Sequence, residues 1–371
     1  MTNSLFKLCG CFGSVMLMSA SASALDFSAY AIGDYISPSG KLFTKKEREE
    51  GAITELRRFK ISAGLPLFKH FEAKVSAEWD TGKSRFEIDD AYLSYEFGES
   101  QSWEVTLGRL KEPFGLENDQ SLKDQFLMER SAATELFSFG RNLGLAVGLE
   151  TGNWNLQAAY LNADEDPESN SVDVFSTRAF YGNEVDGHRV VHLGLSYSGR
   201  NLKDDSYQPE APLISSFAKD QIKSAKYNTH AIDNISLEGA LQFENVILQG
   251  ERFAQIVVDQ EGLDYYFHGF YVTGALNLFG KKRDYSKGEF EIDKDDWQME
   301  LAYRYTYVNL TAEIKADIAR VHEIALNNYF LDRYRFSLQY SYADKKDWSD
   351  SGKVSRENGS TLSARLQVIF F

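Results

Sequence analysis

The chain has 371 residues, a formal net charge of −15 and an aromatic fraction of 14%. Its excess of acidic residues argues against a nucleic-acid partner, because proteins that bind nucleic acids present clustered positive charge. After residue 24, no stretch approaches the roughly 18 consecutive apolar residues of a transmembrane helix, which excludes a helical membrane protein.

The N-terminal segment has the layout of a secretory signal peptide. Lys7 supplies a positive charge, an apolar run covers 8–18, and small residues end at Ala24. Because the run is shorter than the roughly 20 residues of a spanning helix, we predict a signal peptide over 1–24 that is cleaved after Ala24, not a membrane anchor. Both cysteines lie in this segment. The predicted single domain, 25–371, therefore has no disulfides or thiolate metal ligands.

Four segments alternate apolar and polar residues at nearly every step, which indicates strands with one apolar and one wet face. They span 71–80, 154–160, 297–306 and 333–342. The longer runs match the 9 to 11 residues that a tilted strand needs to cross a bilayer. Aromatic residues stand at several strand ends, as in the girdles of outer-membrane barrels. The pattern favours an all-β fold, a transmembrane antiparallel β-barrel.

Short and long connections alternate between the strands, as periplasmic turns and extracellular loops do in outer-membrane barrels. The short connections lie at 67–70, 98–102, 151–153, 244–245 and 331–333, and the long ones at 37–52, 111–141, 163–173, 200–231 and 344–360. Counting from a first strand near 27–36, we predict 16 strands. The segments 174–181 and 318–330 alternate poorly, and the connection 280–295 is longer than this scheme expects.

Three neighbouring motifs resemble a known family. Residues 108–118 read GRLKEPFGLEN, followed by FLMER at 126–130 and GRNLG at 140–144. Together they are similar to the hallmark of the phosphate-selective porin O and P family. Looser matches at 57–58, 89–92, 297–304 and 365–371 extend the resemblance over nearly all of the chain after residue 24.

The resemblance implies a 16-stranded, usually trimeric porin in the outer membrane of a Gram-negative bacterium. It implies an infolded third extracellular loop, between Gly115 and Arg141, and basic residues along an anion path. The implied function is passive conduction of small hydrophilic solutes, with small anions such as phosphate as the expected partners besides outer-membrane lipid. Phe371 would be recognised by the barrel-insertion machinery; the alternative is that Phe371 is simply the last lipid-facing residue.

Charged residues that face the lumen or lie on an infolded loop decide the selectivity of a pore. If the polar face of each strand is the lumen side, the basic candidates for the anion path are Arg58, Lys60, Lys74, Arg304, Arg335 and Arg365 on strands and Lys123, Arg130 and Arg141 on the loop. Acidic residues on the same faces and loop, including Glu78 and Glu129, could pair with them and cancel the field. A phosphate site would need several cations to converge, which sequence spacing does not reveal.

Two other classes of protein fit parts of the sequence. An outer-membrane hydrolase would need a catalytic constellation, but the six histidines are scattered singly, outside any Gly-x-Ser-x-Gly or His-Glu-x-x-His pattern. A non-conducting adhesin or receptor would use the long loops near 37–52 and 200–231 for recognition, and a conductance measurement separates it from a porin. We predict no catalytic residue, no metal site and no cofactor.

Overall fold

The computed structural model describes residues 25–44, 49, 51–81, 85–99, 102–162, 171–185, 189–214, 222–292, 297–311, 316–331, 333–348 and 354–370. The predicted signal peptide and Phe371 lie outside these residues. The cleavage of the signal peptide and the recognition of Phe371 by the insertion machinery therefore remain predictions.

Within the described residues, sixteen antiparallel strands form a closed barrel in which each strand pairs with the next along the chain and the last pairs with the first. The strands are β1 (Asp26–Gly40), β2 (Ile53–Phe68), β3 (Phe71–Asp80), β4 (Arg85–Phe97), β5 (Trp103–Lys111), β6 (Arg141–Thr151), β7 (Trp154–Asn162), β8 (Ser171–Glu184), β9 (Arg189–Tyr207), β10 (Tyr227–Phe243), β11 (Val246–Asp259), β12 (Asp264–Phe279), β13 (Gln298–Thr311), β14 (Ala316–Phe330), β15 (Tyr334–Trp348) and β16 (Val354–Ile369). The predicted count is confirmed. The two poorly alternating segments are strands β8 and β14.

Along each strand of the barrel, outward-facing residues that are largely apolar alternate with inward-facing residues, many of which are polar. On β15, Leu338 is 45% exposed on the outer face, whereas the next residue, Gln339, is 5% exposed and points into the barrel. The same alternation places Arg335 inside and Phe336 outside. Neighbouring strands share hydrogen bonds around the whole ring, so the closed barrel leaves no unpaired strand edge, as a wall surrounded by lipid requires.

Several strands extend beyond the limits that alternation predicted. The loops expected over 37–52, 200–231 and 344–360 are shorter, because β1 continues to Gly40, β9 to Tyr207 and β15 to Trp348. Asp344 still pairs with Asn358, and Lys346 with Arg356. A strand that projects beyond the bilayer has water on its outer face, so it needs no apolar alternation. The period of the sequence therefore predicts only the part of each strand that meets lipid.

The described residues contain no helix that is long and apolar enough to cross a membrane. Two small strand pairs are not part of the barrel wall: Glu210–Ala211 with Ile222–Lys223, and Asp284–Ser286 with Glu289–Glu291.

Candidate functional site in the barrel interior

Residues 112–140 connect β5 to β6 and contain three short helical turns: α1 (Leu116–Asp119), a 3-10 turn (Leu122–Asp124) and α2 (Ala132–Phe137). Gly115 precedes α1 with a φ of 76°, a left-handed conformation that favours glycine. Ser131 caps α2, because its side-chain oxygen accepts the backbone N–H of Thr134 at 3.0 Å. We call residues 112–140 the inner segment, since its contacts are with inward-facing residues of the barrel.

Charged groups of the barrel wall hold the first part of the inner segment. The backbone N–H groups of Leu116 and Glu117 each donate to Glu251 of β11 at 2.8 Å. The carboxylate of Glu117 accepts from Arg304 of β13 at 2.6 Å, and Arg304 also donates to Glu323 of β14 at 2.7 Å. Removing one member of such a buried network would leave a charge without its partner, which costs more than the pair contributes.

Glu129 anchors the later part of the inner segment to β2 and β16. It accepts from the guanidinium of Arg57 at 3.2 Å and forms a further salt bridge with Arg365, which donates to Asp34 at 2.7 and 2.8 Å. Burial alone would raise the pKa of Glu129, but the surrounding guanidinium groups hold it well below its ordinary value. These contacts tie the segment to β2, β11, β13 and β16.

A second connection also reaches the interior. The hairpin of Asp284–Ser286 and Glu289–Glu291 lies between β12 and β13 in the chain, and we call it the β12–β13 hairpin. It contacts the inner segment. Gln120 donates to the carbonyl of Phe290 at 3.1 Å, and the backbone N–H of Ser121 donates to Glu289 at 3.2 Å. On the wall side, Tyr285 lies 2.6 Å from the buried ring of His192. The described residues 284–291 of the long connection expected at 280–295 are therefore packed inside the barrel.

The interior retains an open cavity of about 860 Å³ beside strands β1–β7. The inner segment and the β12–β13 hairpin form its other side. Its basic lining residues are Arg58, Lys60, Lys74, Lys111, Lys123, Arg130 and Arg141, and its acidic ones are Asp26, Glu72, Glu78, Asp80, Asp89, Asp90, Glu104, Asp119, Glu135 and Glu289. This cavity is the candidate solute path.

Six of the nine predicted basic residues line this cavity, and five of the six pair with carboxylates. Arg58 contacts Glu78 at 2.6 Å and Arg141 contacts Asp90 at 2.6 Å. Three lysines are also paired: Lys60 with Asp89, Lys74 with Asp90 at 3.9 Å, and Lys123 with Asp124 at 2.8 Å. Arg130 is the exception, since within the described part of the chain it donates only to backbone carbonyls.

The other three predicted residues, Arg304, Arg335 and Arg365, lie away from the cavity. Each is almost fully buried and faces the inner segment, where Arg365 also donates to the carbonyl of Met128 and Arg335 to that of Lys123 at 3.4 Å. Their inward orientation agrees with the alternation. The inner segment covers this half of the wall, so these guanidinium groups bind protein acceptors instead.

The sequence reasoning missed Lys111, which ends β5 and lines the cavity. Its ammonium donates to the carbonyls of Asn118 at 2.7 Å and Asp119 at 3.0 Å. The residue lies inside the GRLKEPFGLEN motif, but at the boundary between strand and connection, where alternation no longer predicts the direction of a side chain. The described residues contain no group of His, Cys, Asp and Glu that could hold a metal ion.

A closed antiparallel barrel with an apolar outer face and a charged inner cavity defines a channel of the outer-membrane type. The comparisons with known proteins identify its family: the family model for phosphate-selective porin O and P matches residues 39–370, so the chain belongs to that family and lies in the outer membrane of a Gram-negative bacterium. The family and its porin neighbours indicate a channel rather than an enzyme.

Individual relatives are distant in sequence. Porin O of Pseudomonas aeruginosa is 23% identical, with 88% of this chain and 84% of the relative covered. The anion-selective porin from Comamonas acidovorans has a TM-score of 0.60 at 12% identity and covers 94% of this chain and 100% of its own. OmpT of Vibrio cholerae, in a trimer form, has a TM-score of 0.54 at 11% identity with 93% and 100% covered. The structural neighbours establish the fold alone.

Proposed function

We propose that this porin conducts small hydrophilic solutes passively and prefers anions. The observation that carries the proposal is Arg130, whose half-buried guanidinium lines the cavity and forms no salt bridge within the described residues. The other five predicted cations that line the cavity are paired with carboxylates, so among the six only the charge of Arg130 is not offset by a carboxylate within the described residues. The selectivity of the Comamonas porin and the family name agree with this preference, and phosphate is the narrower form of the proposal.

We further propose that the inner segment is the third extracellular loop, folded into the lumen as its constriction. What supports this proposal is the set of contacts that Glu117 and Glu129 make with arginines of β2, β13 and β16. A unit charge on such a segment acts over a few ångströms with little screening by water, whereas a charge at the barrel rim is screened by bulk solvent.

The test is the reversal potential of single channels in a salt gradient. We expect Arg130→Glu to shift the reversal potential toward cation preference, because it replaces the unpaired positive charge with a negative one. The matched control is Arg356→Glu, since Arg356 has a 61% exposed side chain near the start of β16. This control should leave the selectivity of the channel unchanged.

Three results would contradict the proposal at different levels. Equal selectivity in the two variants, with both folded, would remove Arg130 from the solute path. Cation preference in the unmodified protein would overturn the anion proposal, and the excess of acidic residues around the cavity would then account for it. A folded barrel without conductance would instead favour an adhesin or receptor.

We also propose that the protein assembles as a homotrimer. The trimer form of the OmpT neighbour supports this assembly only through the shared fold. The lengths of the strands also support a trimer. Strands β3, β5 and β7 have only 10, 9 and 9 residues, so this part of the wall is low, that is, short along the barrel axis.

A further inference from the structure

Four outward-facing side chains form a continuous row across β11, β12, β13 and β14. The strand register pairs Arg252 with Phe270, Phe270 with Tyr307, and Tyr307 with Arg320. Their neighbours in the chain are buried inside the barrel, so the four side chains point outward. The rings of Phe270 and Tyr307 lie 5.7 Å apart, and the guanidinium of Arg320 lies 5.9 Å from the ring of Tyr307. We call these four residues the arginine–aromatic row.

Spacing along the strands gives the level of the row in the bilayer. Trp297 stacks on Phe279 beside β13, and Phe330 ends β14; these rings lie at the end of the barrel that carries the short turns. Tyr307 is ten positions from Trp297, and Arg320 is ten positions from Phe330. At about 3.3 Å per residue and a tilt of about 40°, ten residues climb about 25 Å, which is the height of the apolar band. Tyr307 and Arg320 therefore lie at the outer boundary of the band, among the headgroups of the outer leaflet.

Arg252 is the unusual member of the row. It follows Val246, the first residue of β11, by only six positions, so its backbone lies within the apolar band. It is exposed, and it forms no salt bridge with any residue that the structure describes. An arginine on the lipid face destabilises a barrel unless its long side chain carries the guanidinium to the level of the headgroups. Arg252 therefore needs an anion that the described part of the chain does not supply.

The charge around the other arginine is also positive. Asp344 of β15 lies 4.0 Å from Arg320 and 3.0 Å from Arg356 of β16, so two arginines share one carboxylate. Guanidinium groups bind phosphate through two parallel hydrogen bonds, and basic side chains at the membrane surface attract anionic headgroups. Aromatic rings are typical of the same level. The row therefore matches a phosphate-bearing headgroup better than it matches hydrocarbon.

We propose that the arginine–aromatic row binds the phosphorylated glycolipid of the outer leaflet, lipopolysaccharide. Strands β11 and β14 are three strand spacings apart, about 14 Å, so Arg252 and Arg320 are placed to bind separate phosphates of one headgroup. The rings of Phe270 and Tyr307 lie between the two cations. The row is on the outside of the barrel and takes no part in the solute path. The inference is therefore independent of the proposed anion conduction.

The test measures the binding of lipid A, the phosphorylated membrane anchor of this glycolipid, to the barrel in dodecyl maltoside micelles by native mass spectrometry. We expect the double variant Arg252→Gln, Arg320→Gln to raise the lipid A concentration for half occupancy at least about tenfold, because charge-assisted hydrogen bonds to phosphate are lost. Lipid A without its phosphates should bind the unmodified protein equally weakly. Removing charge from the lipid face leaves the barrel folded, which the shift in gel mobility on heating verifies.

The matched control is Arg333→Gln. Arg333 is exposed in the turn between β14 and β15, at the opposite end of the same wall, and should not affect binding. Unchanged half occupancy in the double variant would overturn the inference, as would an equal loss in Arg333→Gln or tight binding of lipid A without phosphates. A trimer that the double variant converts into monomers would also overturn it, because the row would then be a contact between copies.

Discussion

Gly108 has a backbone conformation that residues with a side chain rarely adopt. Its φ is 138°, and a methyl group at this position would lie 2.3 Å from the carbonyl oxygen of Ala91 and 2.7 Å from Cα of Tyr92 on β4. We expect Gly108→Ala to destabilise the barrel by about 1 to 3 kcal/mol. Urea unfolding in detergent measures the change. Gly274→Ala is the control, because a methyl group there meets nothing within 4 Å; equal stability of the two variants would contradict the strain at Gly108.

The salt bridges of Glu129 predict how the protein responds to acid. Its pKa is held below the ordinary value of 4.5, so the native state binds fewer protons than the unfolded chain. The stabilisation is fully present above that ordinary value and is lost as the pH falls through the lower native pKa. We therefore expect the free energy of unfolding to fall between pH 5 and pH 3, and to fall less in Glu129→Gln. An identical decrease in both proteins would show that Glu129 does not contribute.

Two arginines show how far the sequence predicts the site. Arg58 and Arg304 both lie on the polar faces of strands, and both face the interior as alternation predicts. Arg58 lines the cavity, whereas Arg304 is covered by Glu117 of the inner segment. Which half of the wall is covered depends on contacts between residues up to 244 positions apart, and no local pattern encodes these contacts.

At the scale of single strands, β3 offers a direct test of which face meets lipid. Val75 is 55% exposed on the outer face, and its neighbour Lys74 faces the cavity. An arginine at the middle of a lipid-facing strand costs roughly 2 to 4 kcal/mol. We expect Val75→Arg to reduce the yield of folded, inserted barrel in lipid vesicles, whereas Lys74→Arg should insert normally. Equal yields for the two variants would mean that the assigned faces of β3 are wrong.

The connections show where element prediction succeeds and where it fails. The two-residue turns at 69–70 and 244–245 follow from the sequence, because alternation stops and resumes within a few positions. The ends of β9 and β15 do not follow from the sequence, because polar residues beyond the bilayer form the same backbone hydrogen bonds between strands. In the sequence, the inner segment is recognisable only as a stretch without regular alternation, because ion pairs with distant strands determine its path.

Across the whole molecule, wall height and cavity position are linked. Strands β3 to β7 have 9 to 13 residues, whereas β8 to β16 have 14 to 19. The cavity lies beside the low part of the wall, while the tall part carries most of the ties to the inner segment. A barrel that is low on one side exposes its interior there, unless another molecule covers it. Packing of two further copies against β3 to β7 would provide that cover in a trimer.

This arrangement predicts a difference between two leucines on the outer face. Leu107 on the short strand β5 is 60% exposed, and Leu237 on the long strand β10 is 54% exposed. If copies pack through the low wall, Leu107→Trp inserts bulk into a close-packed interface and should yield monomers, because overpacking of such contacts costs about 1 to 3 kcal/mol. Leu237→Trp faces lipid and should leave the assembly unchanged. Light scattering of the purified protein in detergent reports the mass. A trimer that survives Leu107→Trp but not Leu237→Trp would move the interface to the tall wall, and a monomeric unmodified protein would exclude the trimer altogether.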